Sequence, residues 1–215
     1  MTTTKYTVAT AMKEVGGLGK PSKMPGFSYN LPAWECKVGS KLVKIEGTPC
    51  FNCYARKGRY NFSNVKNALY NRLDKVENNP KWVGAMAFLI NWYASKTTHF
   101  RWHDSGDIQS VKHLTKIVEV CNLTPSVKHW LPTQEAKVIK EYLKDYGSFP
   151  SNLIVRVSAS KVDGKPHKFH EHTSTVVTEK TSESYTCPAP TQGNECKDCR
   201  ACWDKRVSNV AYLEH

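Results

Sequence analysis

No segment of this sequence is long and apolar enough to cross a bilayer. The longest apolar run, "WVGAMAFLINWYA" from Trp82 to Ala94, falls short of the ~20 residues that a membrane helix needs. The opening "MTTTKYTVATAMKEVGG" contains no apolar stretch of signal-peptide type. Both absences predict a protein that stays in the cytoplasm where it is made, with no membrane partner. Acidic residues are also few: 19 Asp and Glu stand against 31 Lys and Arg, for a net charge of +12. The basic residues are spread along the chain, so a solvated basic face accounts for them as readily as a polyanionic partner does. Nor is a disulfide framework expected. A chain of 215 residues buries a proper core without staples, and a reducing compartment disfavours the bond. The eight cysteines are therefore read as metal ligands or core residues.

What is present divides into three stretches of one domain spanning 1–215. Residues 1–62 are rich in Gly, Pro and Lys and offer only short strand-like pieces such as "KLVKIE", so they read as a long ordered loop region that carries cysteines. From 63 to 162 the pattern becomes regular. Helices are predicted over Ser63–Glu77 and from a cap at Asn79, with Pro80 at the first helical position, to about Ser95. Then "HFRWHD", "SVKHWLPT" and "NLIVRVSAS" read as strands, separated by helices in "IQSVKHLTKIVEVCNL" and "QEAKVIKEYLKDYG". In the first of these helices Val111, Leu114, Val118 and Cys121 share a face, and the second stops at Gly147. A β-α-β-α-β core predicts an α/β fold with parallel strands, either a partial (β/α) barrel or an open parallel sheet. Residues 163–215 read as an irregular cysteine-rich segment with one strand near "STVV".

In both architectures the chemistry sits at the carboxyl ends of the strands. Those ends read "HDSGDIQS", "PTQE" and "SASKVDG", which brings His103, Asp104, Ser105, Asp107, Thr133, Ser158 and Ser160 to one mouth. Asp104, Ser105 and Asp107 are the candidate catalytic groups; Ser105, Gly106, Asp107, Thr133 and Ser158 are candidates for holding a cofactor. Gly106 permits close approach of the backbone to a ligand. The plainer reading is that Thr133 and Ser158 cap turns.

The cysteines are the strongest signal. Cys50 and Cys53 form C-x-x-C, while Cys196, Cys199 and Cys202 form C-x-x-C-x-x-C, with Cys187 and Cys36 upstream of the two groups. A two-residue spacer lets thiolates converge on one centre, in zinc sites and iron-sulfur clusters alike. Zinc held by Cys50, Cys53, Cys196 and Cys199 would leave Cys36, Cys187 and Cys202 idle, so an iron-sulfur cluster, 4Fe-4S above all, is the preferred cofactor and zinc the alternative. Cys121 lies on an apolar helix face and reads as core. Two partitions remain: one cluster clamping both ends of the chain, or one centre on Cys36, Cys50 and Cys53 and another on Cys187, Cys196, Cys199 and Cys202. The tail is expected to fold back across the domain as part of an iron-sulfur site, with Cys196, Cys199 and Cys202 as partners of the N-terminal loop. His167, His170 and His172 in "HKFHEH" alternate as on an exposed strand face, with a metal site as the sharper alternative.

Taken in order, "GLGKPSKMPGFSYNLPAWEC", "CFNCYARKGRY", "FRWHDSGDIQS", "HWLPT" and the ending "CPAP…CKDCRACW" resemble the gene product 88 family, small cysteine-rich proteins of tailed bacteriophages. The resemblance implies a phage protein working in the host cytoplasm, with the virion as the other location, and carries no settled activity. A wider likeness is to radical S-adenosylmethionine enzymes, in which three cysteines hold a 4Fe-4S cluster and a glycine-rich turn grips the methionine amino group. It implies that "CFNCYA" ends a cluster motif and that Ser105-Gly106-Asp107 forms the turn, although the usual C-x-x-x-C-x-x-C is absent. Three functions follow: iron-sulfur redox or radical chemistry with an unknown substrate and electron donor, a metal-stapled nucleic-acid binder using stretches such as "YARKGRYNF", or a phage structural or interaction protein.

Overall fold

The computed structural model describes residues 5–214; Met1–Thr4 and His215, at the ends of the 1–215 unit, lie outside the described residues. In chain order the elements are α1 (Val8–Val15), β1 (Phe27–Tyr29), α2 (Gly39–Leu42), α3 (Ser63–Asn78), α4 (Trp82–Tyr93), β2 (His99–Trp102), α5 (Val111–Leu123), β3 (Lys128–Thr133), α6 (Ala136–Tyr146), β4 (Leu153–Ser158), β5 (Thr173–Val177), β6 (Tyr185–Thr186) and β7 (Asn209–Leu213). Local chemistry sets many of the bounds. Ser110 accepts a hydrogen bond from the His113 amide at 3.1 Å and starts α5, and Gly147, at φ 79°, ends α6.

The strands form one open sheet in the order β1-β2-β3-β4-β5-β7-β6, and every neighbouring pair is parallel. The sheet ends at β1 and β6, so the architecture is the open parallel sheet of the two expected and not a barrel. Because side chains alternate across a strand, each strand feeds two different layers. Trp102, Leu131, Val155 and Val157 join the main core with α1, α4, α5 and α6. Within it the buried Tyr29 hydroxyl accepts from Trp82 Nε1 at 3.0 Å and donates to the Val15 carbonyl at 2.7 Å. On the other face Trp130 and Val210 pack with Ala201, Cys202 and Trp203 of the tail, and Trp203 Nε1 donates to the Phe100 carbonyl at 2.9 Å. The cysteine-rich tail thus covers part of a sheet face where a parallel fold ordinarily places helices.

Four expectations need correction. Residues 1–62 are not merely loop, for they contain α1, β1 and α2; α1 is opened by a reciprocal cap between Thr7 and Thr10. "KLVKIE" is not strand: Ser40 bonds back to Cys36 and Val43 to Gly39, winding the chain into α2 and the turn after it. The segment 163–215 holds β5, β6 and β7, with β7 inserted between β5 and β6. The helix expected from Asn79 begins at Trp82, while Asn79 Oδ1 still accepts from the Lys81 amide at 3.0 Å. Among the described residues no helix is long and apolar enough to cross a membrane.

Candidate functional site

A cavity of about 770 Å³ opens at the carboxyl ends of the strands. One wall is the loop bearing Cys36, Cys50 and Cys53; the other is the turn from Asp104 to Asp107, with Gln134 and Tyr212 beside it. The three cysteines are close enough that their charges would oppose one another. Burial first, then Asp107 and the neighbouring thiols, raises the Cys36 thiol well above its ordinary range. Burial and Cys53 push Cys50 up to about 12. A thiol so placed holds its proton at neutral pH unless a cation takes its place.

Gly39 keeps the sulfurs accessible. A Cβ there would stand 3.0 Å from Cys36 Cβ, 3.6 Å from Cys50 Sγ and 3.7 Å from Cys36 Sγ, filling the space between them. An open cradle beside soft donors fits a thiolate-ligated metal. Among the described residues, however, no three or more His, Cys, Asp or Glu side chains stand together as a ready ligand set.

The strand-end residues divide by task. Asp107 is buried and its carboxylate accepts from Thr133 Oγ1 at 2.6 Å and from the Gln134 and Ile108 amides at 2.8 Å. Burial nevertheless outweighs these donors and lifts the carboxyl to about 7. Ser105 Oγ donates to the Leu31 carbonyl at 3.0 Å. Ser158 and Ser174 share a hydroxyl bond of 2.8 Å between β4 and β5. Thr133 also accepts from the Glu135 amide at 3.0 Å, the turn-capping role. Thr133 and Ser158 do not line the cavity, and Ser160 is exposed. Gly106 does permit close approach, but to Leu31: a Cβ would come within 2.6 Å of the Leu31 carbonyl oxygen. Asp104 is different. Its Oδ1 is buried without a partner, and burial raises its carboxyl despite Arg101 and Arg72. His103 is buried with both ring nitrogens unpartnered and lies outside the cavity lining.

The remaining cysteines gather elsewhere. Cys187, Cys196, Cys199 and Cys202 interact with one another, and the Cys196 amide donates to the Lys23 carbonyl at 2.8 Å. That bond ties the tail to the N-terminal loop at Lys23. Cys36, Cys50 and Cys53 thus act on one another, as do the four cysteines of the tail. Cys121 is buried in the main core. His167, His170 and His172 form no strand; each bonds a backbone carbonyl, of Ser158, Val155 and Lys205 respectively.

Sequence reasoning passed over Glu135, Tyr54 and Arg101. Glu135 is buried and accepts from the Val38 amide at 2.8 Å, holding the Cys36 loop against the end of β3. The Tyr54 hydroxyl donates to the Asp104 carbonyl, tying the residue after Cys53 to the strand-end turn. Arg101 interacts with Tyr54 and Asp104 on the cavity side and with Cys202 and Tyr212 on the tail side. Its place inside a strand gave no sign of this.

No curated protein matches the chain, and no solved structure does; the likeness to radical S-adenosylmethionine enzymes has no counterpart among the comparisons. One family does match, described as gene product 88, over residues 2–205. With nearly the whole chain covered, and with the cysteine motifs and the strand-end turn inside the matched span, this protein belongs to the gene product 88 family.

Proposed function

We propose that this is a bacteriophage iron-sulfur protein in which Cys36, Cys50 and Cys53 hold a 4Fe-4S cluster, and that redox or radical chemistry on a small substrate takes place in the adjoining cavity. The observation that carries the reading is the sharing of one cavity by the three cysteines and the Asp104–Asp107 turn. Three thiolates leave one iron of a cube without a protein sulfur. A cluster held there would supply an electron at the cavity wall. The chain supplies the rest: Gly39 keeps the sulfurs uncovered, Glu135 and Tyr54 hold the loop in place, and Asp104 offers an unpartnered acceptor to a donor group of the substrate. S-adenosylmethionine is the candidate co-substrate. The Ser105 and Asp107 side chains are committed within the protein, so Asp104 and the turn's backbone are the groups left to meet it. Zinc on the same thiolates is the competing assignment.

Anaerobic purification followed by iron, sulfide and zinc assays tests the reading, with electron paramagnetic resonance before and after adding S-adenosylmethionine. A brown protein is expected, losing iron and sulfide in the Cys53→Ser chain. A colourless protein with zinc as its metal sinks the reading.

A second reading rests on the opposite end of the sheet. There a cavity of about 440 Å³ is lined by Lys128, Arg200 and Lys205 with His99, and by Arg206 paired with Asp204. His99 is held down to about 4 by burial and then by Arg200 and Lys128. Such a basic hollow suits phosphate groups of a nucleic acid. The stretch "YARKGRYNF" does not join it, since Arg56 is spent on the Ala33 carbonyl and Ser40. Retention of DNA or RNA at low salt, weakened by Lys128→Ala with Arg200→Ala, is the expected result; no retention at low salt removes this reading.

A further inference from the structure

Two guanidinium groups, those of buried Arg156 and half-buried Arg101, sit beside the tail cysteines with no carboxylate in ion-pair contact, Asp204 and Asp104 acting on them only from farther off. Arg156 is fully buried. Its donors reach only neutral carbonyls: Cys202 at 3.1 Å, Ala201 at 2.9 Å, Asp204 at 3.1 Å, Val207 at 2.8 Å, Thr173 at 3.2 Å and Ser208 at 3.3 Å. Arg101 lies over the Trp130 ring at 4.5 Å, its Nη1 is 3.6 Å from Met24 Sδ, and its Nε is buried with no partner. The ion pairs found among the described residues, Lys81 with Glu14 and Arg206 with Asp204, include neither arginine. Burying a charge is costly unless an opposite charge accompanies it. Both guanidinium groups act on Cys202 and Tyr212, and Arg101 acts on Cys196 as well. With Asp104 and Asp204 not in contact, the sulfurs beside both arginines are a place where further negative charge suits them.

Two hydroxyls point the same way. Tyr212 lies 3.2 Å from Cys202 Sγ and Tyr185 3.3 Å from Cys199 Sγ, as donors to sulfur would. The tail between Cys187 and Cys202 contains only short 3₁₀ turns, at Ala189–Gln192 and Ala201–Trp203, yet it supplies Ala201, Cys202 and Trp203 to the layer on the sheet. A covering layer with so little regular structure needs another staple.

We infer that Cys187, Cys196, Cys199 and Cys202 form a second, closed metal centre, a tetrathiolate site of net charge −2 facing Arg101 and the buried Arg156. Four thiolates around Zn²⁺, or around an oxidised 4Fe-4S core of charge +2, both give that charge. The four thiols release four protons to solvent as four metal–sulfur bonds form, and no electron is exchanged. Ligand spacing is reached as the metal binds, in keeping with the coupling of such sites to folding. The site stands independently of what Cys36, Cys50 and Cys53 hold.

The test uses the full chain with Cys36, Cys50 and Cys53 all replaced by Ser, purified anaerobically and assayed for zinc, iron and sulfide. One equivalent of zinc, or four of iron with four of sulfide, is expected to remain, and the two results distinguish the metals. A folded triple variant with no bound metal overturns the inference, whatever the wild type carries. Should the triple variant not fold, native alkylation of wild type with mass-spectrometric mapping serves instead. Cys187, Cys196 and Cys199 should become reactive together on adding a strong chelator; labelling of any of them before the chelator overturns the inference. In the charge arm, Arg101→Met should release metal to the chelator about tenfold faster, by the size of effect typical for groups that support metal ligands, and Arg101→Lys should stay close to wild type. Unchanged release in Arg101→Met overturns the charge assignment.

Discussion

Thr133 at the end of β3 donates its hydroxyl to the Asp107 carboxylate in the turn after β2, at 2.6 Å. The bond joins two adjacent parallel strands just where they deliver their residues to the cavity, and it places Asp107 in the frame of the site. Asp107 is buried and its carboxyl is lifted to about 7.

The first prediction follows from that shift. An acid whose folded pKa is raised binds more protons folded than unfolded, so its contribution to stability is present below the unfolded pKa near 3.8 and is lost as pH rises through about 7. Asp107→Asn should therefore lose this dependence. Urea unfolding of both chains between pH 4 and pH 8 (roughly the window set by the two pKa values) should show the variant gaining on wild type by on the order of a few kcal/mol. Parallel curves would refute the shift.

Buried histidines give the opposite slope. His113 and His129 are held neutral by burial, each at about 3, while in the unfolded chain they take up protons as pH falls below about 6.5. Their contribution is present above that pH and lost on acidification towards the folded value. Each costs up to about 3 kcal/mol by roughly pH 4.5. His129→Gln should flatten the acid limb of a melting-temperature profile, and an unchanged limb would count against the assignment.

Gly39→Ala separates metal binding from folding. Ala in place of a helical Gly favours the helix by up to about 1 kcal/mol, but its methyl would lie between the Cys36 and Cys50 sulfurs. The expected outcome is an unchanged or higher melting temperature with the iron held by Cys36, Cys50 and Cys53 reduced several-fold. Full iron loading would show that the space between the sulfurs is not used.

Gly106→Ala should act on the fold instead. Gly106 has φ 77°, and a Cβ would fall 2.5 Å from Leu31 Cβ and 2.6 Å from its carbonyl oxygen, so the loop before α2 must move. A loss of ~2–4 kcal/mol is expected from clash and strain together. Gly147→Ala, at φ 79° with nothing within 4 Å, is the control and should cost only about 1 kcal/mol. Equal losses in thermal unfolding would place the cost in backbone strain alone.

The regular core was legible because each of its elements carries its own signal. Ser110 caps α5 and Gly147 ends α6, and the apolar residues of β2, β3 and β4 lie in short runs bounded by turn residues. The elements that escaped notice lack such signals. The cap of α1 is a pair of threonines without the Glu or Gln that usually marks a capping box. β1 is three residues long and takes its identity from pairing with β2, while β7 is a strand because it lies between β5 and β6. No periodicity inside either segment reports a neighbour distant in sequence.

The candidate site divides in the same way. The sequence by itself determined the chemistry: thiols at C-x-x-C spacing, a polar turn around Gly106, a parallel α/β core and a basic surface. Spacing within a motif is local, and local geometry decides which neighbouring sulfurs can share a centre. Only the tertiary structure decided which cysteines act on one another, that Asp107 and Thr133 serve each other, and that Arg101 stands between the cavity and the tail. Those are relations between segments far apart in the chain, set by strand order and by which face of the sheet each side chain meets.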